Sequence, residues 1–205
     1  MSTSSSKAYI TPEQYEEIEE QSEIRHEYYR GEMFAMAGAT VPHILISGNI
    51  ARALGNHFED RPCTVYQSDL RVRINATGLY TYPDIVAVCG PAHFAKAEKQ
   101  TTLVNPILLV EVFSPSTEAY DRGKKLDHYK TIESLQEIVL VAQDQVLVHH
   151  FRRLEGQDAW LWTTLDKRDA ILPLDSIACE IPLSRIYART DAPEVPLRSA
   201  VVEED

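Results

Sequence analysis

Two short runs constrain this chain more than any other feature: Tyr82-Pro83-Asp84-Ile85-Val86-Ala87-Val88 and Ile107-Leu108-Leu109-Val110-Glu111-Val112-Phe113. Each is apolar and partly β-branched, the pattern of a strand buried on both faces. Each also carries one carboxylate where a core strand should have none. An unpaired buried carboxylate is costly, so such a group keeps a cation or a proton beside it. Side chains alternate along a strand, so Ile107, Leu109, Glu111 and Phe113 share a face, while Asp84 sits near the start of its own strand. If the strands are neighbours, the two acids can hold a divalent metal. A hard cation such as Mg²⁺ takes oxygen ligands and retains several waters. Asp84, Glu111 and the Val112 carbonyl would supply three oxygens.

The remaining pattern surrounds these strands with others and with crossover helices. Thr11-Pro12-Glu13 reads as the start of a helix to about Glu20. Residues 27–36 form two strands turning near Arg30-Gly31. The spacing of Ile46, Ile50, Ala53, Leu54 and His57 predicts an amphipathic helix from Pro42 to Phe58. Strands follow at Cys63–Tyr66 and Leu70–Ile74, the latter with Arg71 and Arg73 on a solvated face. After the Glu111 strand, Ser114-Pro115-Ser116-Thr117 caps a helix to about Ile132. Glu137–Ala142, Gln145–Arg153 and residues near Ala159–Leu165 are further strands, and a last short element lies near Leu183–Tyr187. His149 and His150 are successive strand residues, point to opposite faces and cannot chelate together. The acidic run Glu13–Glu23 reads as a solvated helix face. This alternation predicts an α/β protein, a mixed sheet flanked by helices. Three segments are expected: a disordered N-terminus at 1–8, one domain at 9–188, and an acidic tail at 189–205.

Composition narrows the setting. A chain of 205 residues supports one sizeable core. No apolar run approaches a membrane span, and no secretory h-region opens the sequence. Three widely separated cysteines without a C-x-x-C spacing favour neither a disulfide framework nor a zinc knuckle, so reduced thiols and a cytoplasmic location are expected. The net charge of −11 opposes strong non-specific binding to nucleic acid. Much of it lies at the ends, however: residues 1–32 hold three basic and eight acidic side chains, and residues 189–205 hold two and five. The body between them is nearly balanced and leaves room for a local basic cleft.

A phosphodiester hydrolase also needs a cation near the reacting phosphate. In the predicted helix after Glu111, Leu126, Tyr129 and Ile132 define the inward stripe. Arg122 and Lys125 fall on it by spacing, and Lys124 points away. A lysine on a core-facing stripe is unusual unless it reaches an anion, which selects Lys125.

Pro83-Asp84 followed by Glu111 on the next apolar strand resembles the motif of the PD-(D/E)xK nuclease superfamily. The run Leu109–Thr117, then Tyr120-Asp121-Arg122-Gly123-Lys124-Lys125 and His128-Tyr129, is similar to the Uma-two family of restriction-endonuclease-like proteins. Gly31-Glu32-Met33, Met36-Ala37-Gly38 and His43 extend the similarity upstream, over roughly residues 10–155. The resemblance implies a restriction-endonuclease-like fold and Mg²⁺-dependent hydrolysis of DNA, with Mn²⁺ able to substitute. It implies Asp84 and Glu111 as metal ligands, Lys125 as the catalytic cation, and Glu32 and His43 as accessory groups. Two positions depart from it. Phe113 stands where the wider superfamily has its lysine, and Ala142 stands where the family often has an acid. Each residue also has a plainer reading: Asp84 as a strand-start residue, Glu111 in an ion pair with Arg122 or Lys125, His43 as a helix cap, Glu32 as a hairpin residue. For the chain as a whole, the alternative to a nuclease is a binding or scaffolding protein of nuclease fold that does not cut. Double-strand cutting from one site per chain would call for a C2 homodimer.

Overall fold

The computed structural model describes residues 9–96 and 101–194. The expected disordered segment 1–8, residues 97–100 and residues 195–205 of the expected tail lie outside the described residues. In chain order the elements begin with α1 (Pro12–Gln21), β1 (His26–Tyr29), β2 (Glu32–Ala35) and α2 (Val41–Phe58). Strands β3 (Cys63–Gln67), β4 (Arg71–Ile74), β5 (Leu79–Thr81), β6 (Ile85–Cys89), β7 (Thr102–Leu103) and β8 (Leu108–Phe113) follow. A crossover holds α3 (Glu118–Tyr120), a wide π turn (Asp121–Lys125) and α4 (Leu126–Lys130). Then come β9 (Glu137–Ala142), β10 (Val148–Arg153), β11 (Trp160–Leu165), β12 (Ile171–Leu174), β13 (Cys179–Pro182) and α5 (Leu183–Ile186).

The two acid-bearing runs are adjacent central strands of a six-stranded mixed sheet, ordered β11-β10-β9-β8-β6-β3. β6 and β8 are antiparallel, and β8 and β9 are parallel, joined by the crossover. Continuous apolar sequence suits these strands because both faces are covered. Leu108, Val110 and Val112 face α2, whose Ile46, Ile50 and Leu54 join Leu172, Ile181 and Leu183 in one core. Leu109 and Phe113 face Leu126 and Tyr129 in a second core, which extends to Val72, Ile74 and Leu79 of a five-stranded sheet ordered β2-β1-β5-β4-β7. The mixed α/β architecture expected from sequence is the one observed.

Both long helices start as their sequences dictate. Thr11 and Gln14 form a capping box on α1, and the Thr40 hydroxyl accepts the His43 N–H at the start of α2. Other expectations are corrected. The helix read from Thr117 to Ile132 is broken by the π turn, with Gly123 non-helical inside it. Arg71 is buried, not solvated: its Nε donates to the Thr102 hydroxyl and its guanidinium lies over the Tyr15 and Tyr80 rings. In the acidic run, Glu16 and Glu19 are buried and accept the Tyr80 and Tyr82 hydroxyls. Three reduced thiols are not found either, since Cys63 and Cys89 are disulfide-bonded and only Cys179 is free. The two bonded residues are direct cross-strand partners in the β3–β6 register, which a separation of 26 in sequence does not reveal. The thiol argument for a cytoplasmic location falls with them. Residues beyond 188 also touch the body: Val146 N–H donates to the Pro193 carbonyl, and Ala192 is buried. Among the described residues no helix is long and apolar enough to cross a membrane.

Candidate active site

The β6–β8 pairing ends at Ile85 opposite Val110, so β8 runs past the start of β6 with its backbone free on that side. Asp84 fills the gap. Its Oδ2 accepts the Val112 N–H at 2.7 Å, and its Oδ1 accepts His43 Nε2–H at 2.7 Å. The N–H and C=O of one strand residue point to the same side, so the Val112 carbonyl also faces Asp84. His43 is presented by the first turns of α2, immediately after the Thr40 cap.

One position earlier on β8, Glu111 points to the other face of the sheet from Val112, into the crossover. Lys125 Nζ lies 2.9 Å from Glu111 Oε1, and the Tyr129 hydroxyl donates to the same oxygen. The ammonium serves two more carboxylates, Glu27 at 3.0 Å and Asp121 at 3.8 Å. Glu27, from β1, is itself held by the hydroxyls of Thr81 and Tyr120. Asp84, Glu111, Glu27 and Asp121 thus crowd around one buried ammonium and one imidazole.

The electrostatics follow from burial and crowding. Burial pushes the Glu111 carboxyl up to about 8; Lys125 opposes this, while Asp84 and Asp121 add to it. Asp121 is raised for the same first reason, burial, with Lys125 again opposing. For Lys125 burial works against the charge, but the carboxylates around it prevail and hold its pKa well above that of a free lysine. His43 behaves likewise: burial lowers its pKa, and the Asp84 hydrogen bond and charge more than reverse that. Glu27 ends below the usual range, because Lys125 and the hydroxyls outweigh its burial.

Asp84, Glu111 and Lys125 are therefore brought together, and His43 joins them through Asp84. Glu32 is not the acid of its hairpin that reaches Lys125; it is exposed at the start of β2, and Glu27 across the hairpin makes that contact. Arg122 is turned outward to Glu118, at 2.5 Å, because the π turn shifts the helical phase assumed from sequence. Sequence reasoning missed Glu27, Asp121 and Tyr129. The signal for the first was an acid between His26 and Tyr28 in an otherwise aromatic strand. For the other two it was the i, i+4 spacing of Asp121, Lys125 and Tyr129.

The donor set suits a hard divalent cation. Two carboxylates and a carbonyl are all oxygen, and burial, with Asp84 and Asp121 adding to it, makes the ionised Glu111 carboxylate costly, a cost that a bound cation would offset. Among the described residues no three His, Cys, Asp or Glu side chains form a ready metal cage. Waters and a substrate oxygen would have to complete the coordination, as Mg²⁺ commonly requires.

Fold and cluster define a mixed α/β protein with a carboxylate–lysine site where two central strands part. A crystallised DUF820 protein of Anabaena variabilis, described as a putative nuclease, shares the fold. Its TM-score is 0.65 at 20% identity, over 81% of this chain and 91% of that one. The family model Uma2, "Putative restriction endonuclease", matches residues 12–184, and the chain belongs to that family. The uncharacterised Synechocystis sp. protein slr1290 is 35% identical over 87% of this chain and 91% of its own length. A second from the same organism, sll1609, is 33% identical over 76% and 87%.

Proposed function

We propose that the chain is a Mg²⁺-dependent DNA endonuclease that hydrolyses phosphodiester bonds, with Mn²⁺ able to replace Mg²⁺. The observation that carries this reading is that Asp84, distant in sequence, is bonded to the Val112 N–H, one residue along β8 from Glu111, whose carboxylate holds the buried ammonium of Lys125. Asp84, Glu111 and the Val112 carbonyl would hold the ion. Bound there, it would polarise a phosphate oxygen and ease the deprotonation of a water. Lys125 stays protonated and offers positive charge and N–H groups to the charge that develops on the phosphate. Tyr129 and Lys125 fix the rotamer of Glu111. His43 orients Asp84 and can take up a proton as the site's charge changes. Two copies related by a twofold axis would let one site per chain cut both strands.

The test is nicking of supercoiled plasmid with Mg²⁺ or Mn²⁺. Wild type should nick, and Asp84→Asn, Glu111→Ala and Lys125→Ala, each checked for folding, should not. Unchanged nicking in all three would remove the proposal. A second reading rests on one observation: each carboxylate already has a partner within the chain. A nuclease-fold binding or scaffolding protein that does not cut fits that fact, and it predicts binding of DNA without metal-dependent nicking.

A further inference from the structure

On the Glu111 face of the main sheet, beyond Phe113, aromatic rings and cations alternate toward the sheet edge. Phe113 lies parallel to the His149 ring, with centroids 6.4 Å apart. His149 meets the Trp162 indole edge-on at 5.6 Å, and Phe151 stacks on the same indole at 5.8 Å and 13°. Lys130 Nζ sits 5.2 Å from the Phe151 centroid, and the Arg153 guanidinium lies 4.5 Å from that of Trp160. Most of this row is covered, but Trp162 is 56% exposed. Phe151 backs one face of its indole, and the indole N–H donates to His149 Nδ1 at 3.4 Å, which fixes the ring's tilt. Burial lowers the His149 pKa to about 4, so the imidazole is neutral at neutral pH and its Nδ1, which also meets the Thr164 hydroxyl at 3.2 Å, is the nitrogen that faces the indole N–H. An aromatic ring held in place by its neighbours with one face open presents a π surface on which another flat ring can stack.

The charge of the row indicates what covers it. Among the described residues neither Lys130 nor Arg153 has a carboxylate partner, in a chain of net charge −11. Arg153 instead donates to the carbonyls of Lys130, Ile132 and Leu135 at the end of the crossover. Arg122 and Glu118 both act on His149, and they balance each other in an ion pair. Unpaired cations beside an open, pre-oriented indole match one chemistry: a strand whose bases stack while its phosphates lie along the cations.

We infer that Trp162 is a stacking platform for an unpaired base of DNA, with Lys130 and Arg153 beside the flanking phosphates. The inference rests on the nuclease reading for its substrate and deepens it, because an intact duplex hides base faces. The preferred substrate is DNA with unpaired nucleotides a short distance from the scissile phosphate.

The experiment uses the full chain in EDTA, so that binding is read without cutting. Trp160→Phe leaves Trp162 as the only tryptophan, and its fluorescence is followed during titration with oligo-dT and with a blunt duplex of equal length. Expected are quenching by oligo-dT, an affinity for it above that for duplex, and a loss of ~10-fold or more in Trp162→Ala, measured by anisotropy. Trp162→Phe should retain most of the affinity, and Leu161→Ala, on the opposite face of β11, all of it. Lys130→Ala should lower the slope of log affinity against log salt by about 0.7. Equal affinity for the two DNAs with no loss in Trp162→Ala would overturn the inference, whether or not the plasmid is nicked. Quenching and selective binding without nicking would uphold it and count against the catalytic reading alone.

Discussion

At the scale of single residues, Lys125 is the side chain on which the site turns. Its ammonium answers three carboxylates while almost wholly buried. Replacing it with methionine keeps most of the bulk and strands the ionised Glu27 without a cation. Loss of one partner of a buried pair costs about 3–5 kcal/mol. Chemical denaturation should show a drop of that order, and a change below about 1 kcal/mol would mean the pairs contribute little. Tyr129→Phe leaves Lys125 in place and should cost roughly 1–3 kcal/mol, the range for one lost buried hydrogen bond.

The same residues set a pH dependence with a definite sign. Glu111 has its folded pKa raised from 4.5 to about 8, and His43 is raised above 6.5. For a raised group, stability is fully present below the unfolded pKa and fades as pH climbs through the folded one. The metal-free protein should therefore lose stability between about pH 5 and 8, unlike a protein dominated by lowered carboxylates. An ion must displace the protons these groups retain, so Mn²⁺ affinity should rise over the same interval. Thermal melts without metal and calorimetric Mn²⁺ titrations at several pH values check both signs. Opposite trends would mean that Glu111 is ionised and satisfied by Lys125 alone.

At the scale of elements, the acid-bearing strands and α2 were legible because burial on both faces, or along one stripe, leaves a periodic trace. The strand-plus-helix logic also singled out Asp84, Glu111 and Lys125, and the fold places Asp84 on the Val112 N–H and Lys125 on Glu111. It failed where a distant element changes a residue's environment. Arg71 alternates with Val72 like a surface residue, yet Tyr15 of α1 and Tyr80 of β5 close over its guanidinium. Glu19 sits in a run of acids, and only the fold brings the Tyr82 hydroxyl to it. The π turn was illegible because one extra residue in a turn leaves no mark on an apolar pattern, and Arg122 was misplaced as a result. β12 and β13 were missed because both are short and contain proline, which argues against a paired strand. Unseen from sequence too was the Cys63–Cys89 bond, which ties β3 to β6, the strand that Asp84 precedes. Closing a loop of that length stabilises by about 2–4 kcal/mol. A reductant, or Cys63→Ser with Cys89→Ser, should lower the melting temperature accordingly. An unchanged melt would show that strand pairing alone holds that edge.

At the scale of the whole molecule, two apolar cores sandwich one mixed sheet, and the candidate site lies where β6 and β8 separate. Four acidic side chains gathered at that point around Lys125 and His43 leave little net positive charge for a phosphate backbone unless a metal cation intervenes. The net charge of −11 points the same way. Duplex DNA should bind weakly in EDTA and more tightly with Ca²⁺, a hard ion also bound by carboxylate oxygens and used here to test affinity. Fluorescence anisotropy with and without the ion reads this difference, and equal affinities would place the DNA contact elsewhere.

The most direct measurement is anomalous diffraction from a crystal soaked in Mn²⁺. One peak is predicted in direct contact with both Asp84 and Glu111, on the side of the Val112 carbonyl, with Lys125 still beside Glu111. Absence of any peak there, with Asp84 kept by His43 and Glu111 by Lys125 and Tyr129, would contradict the account.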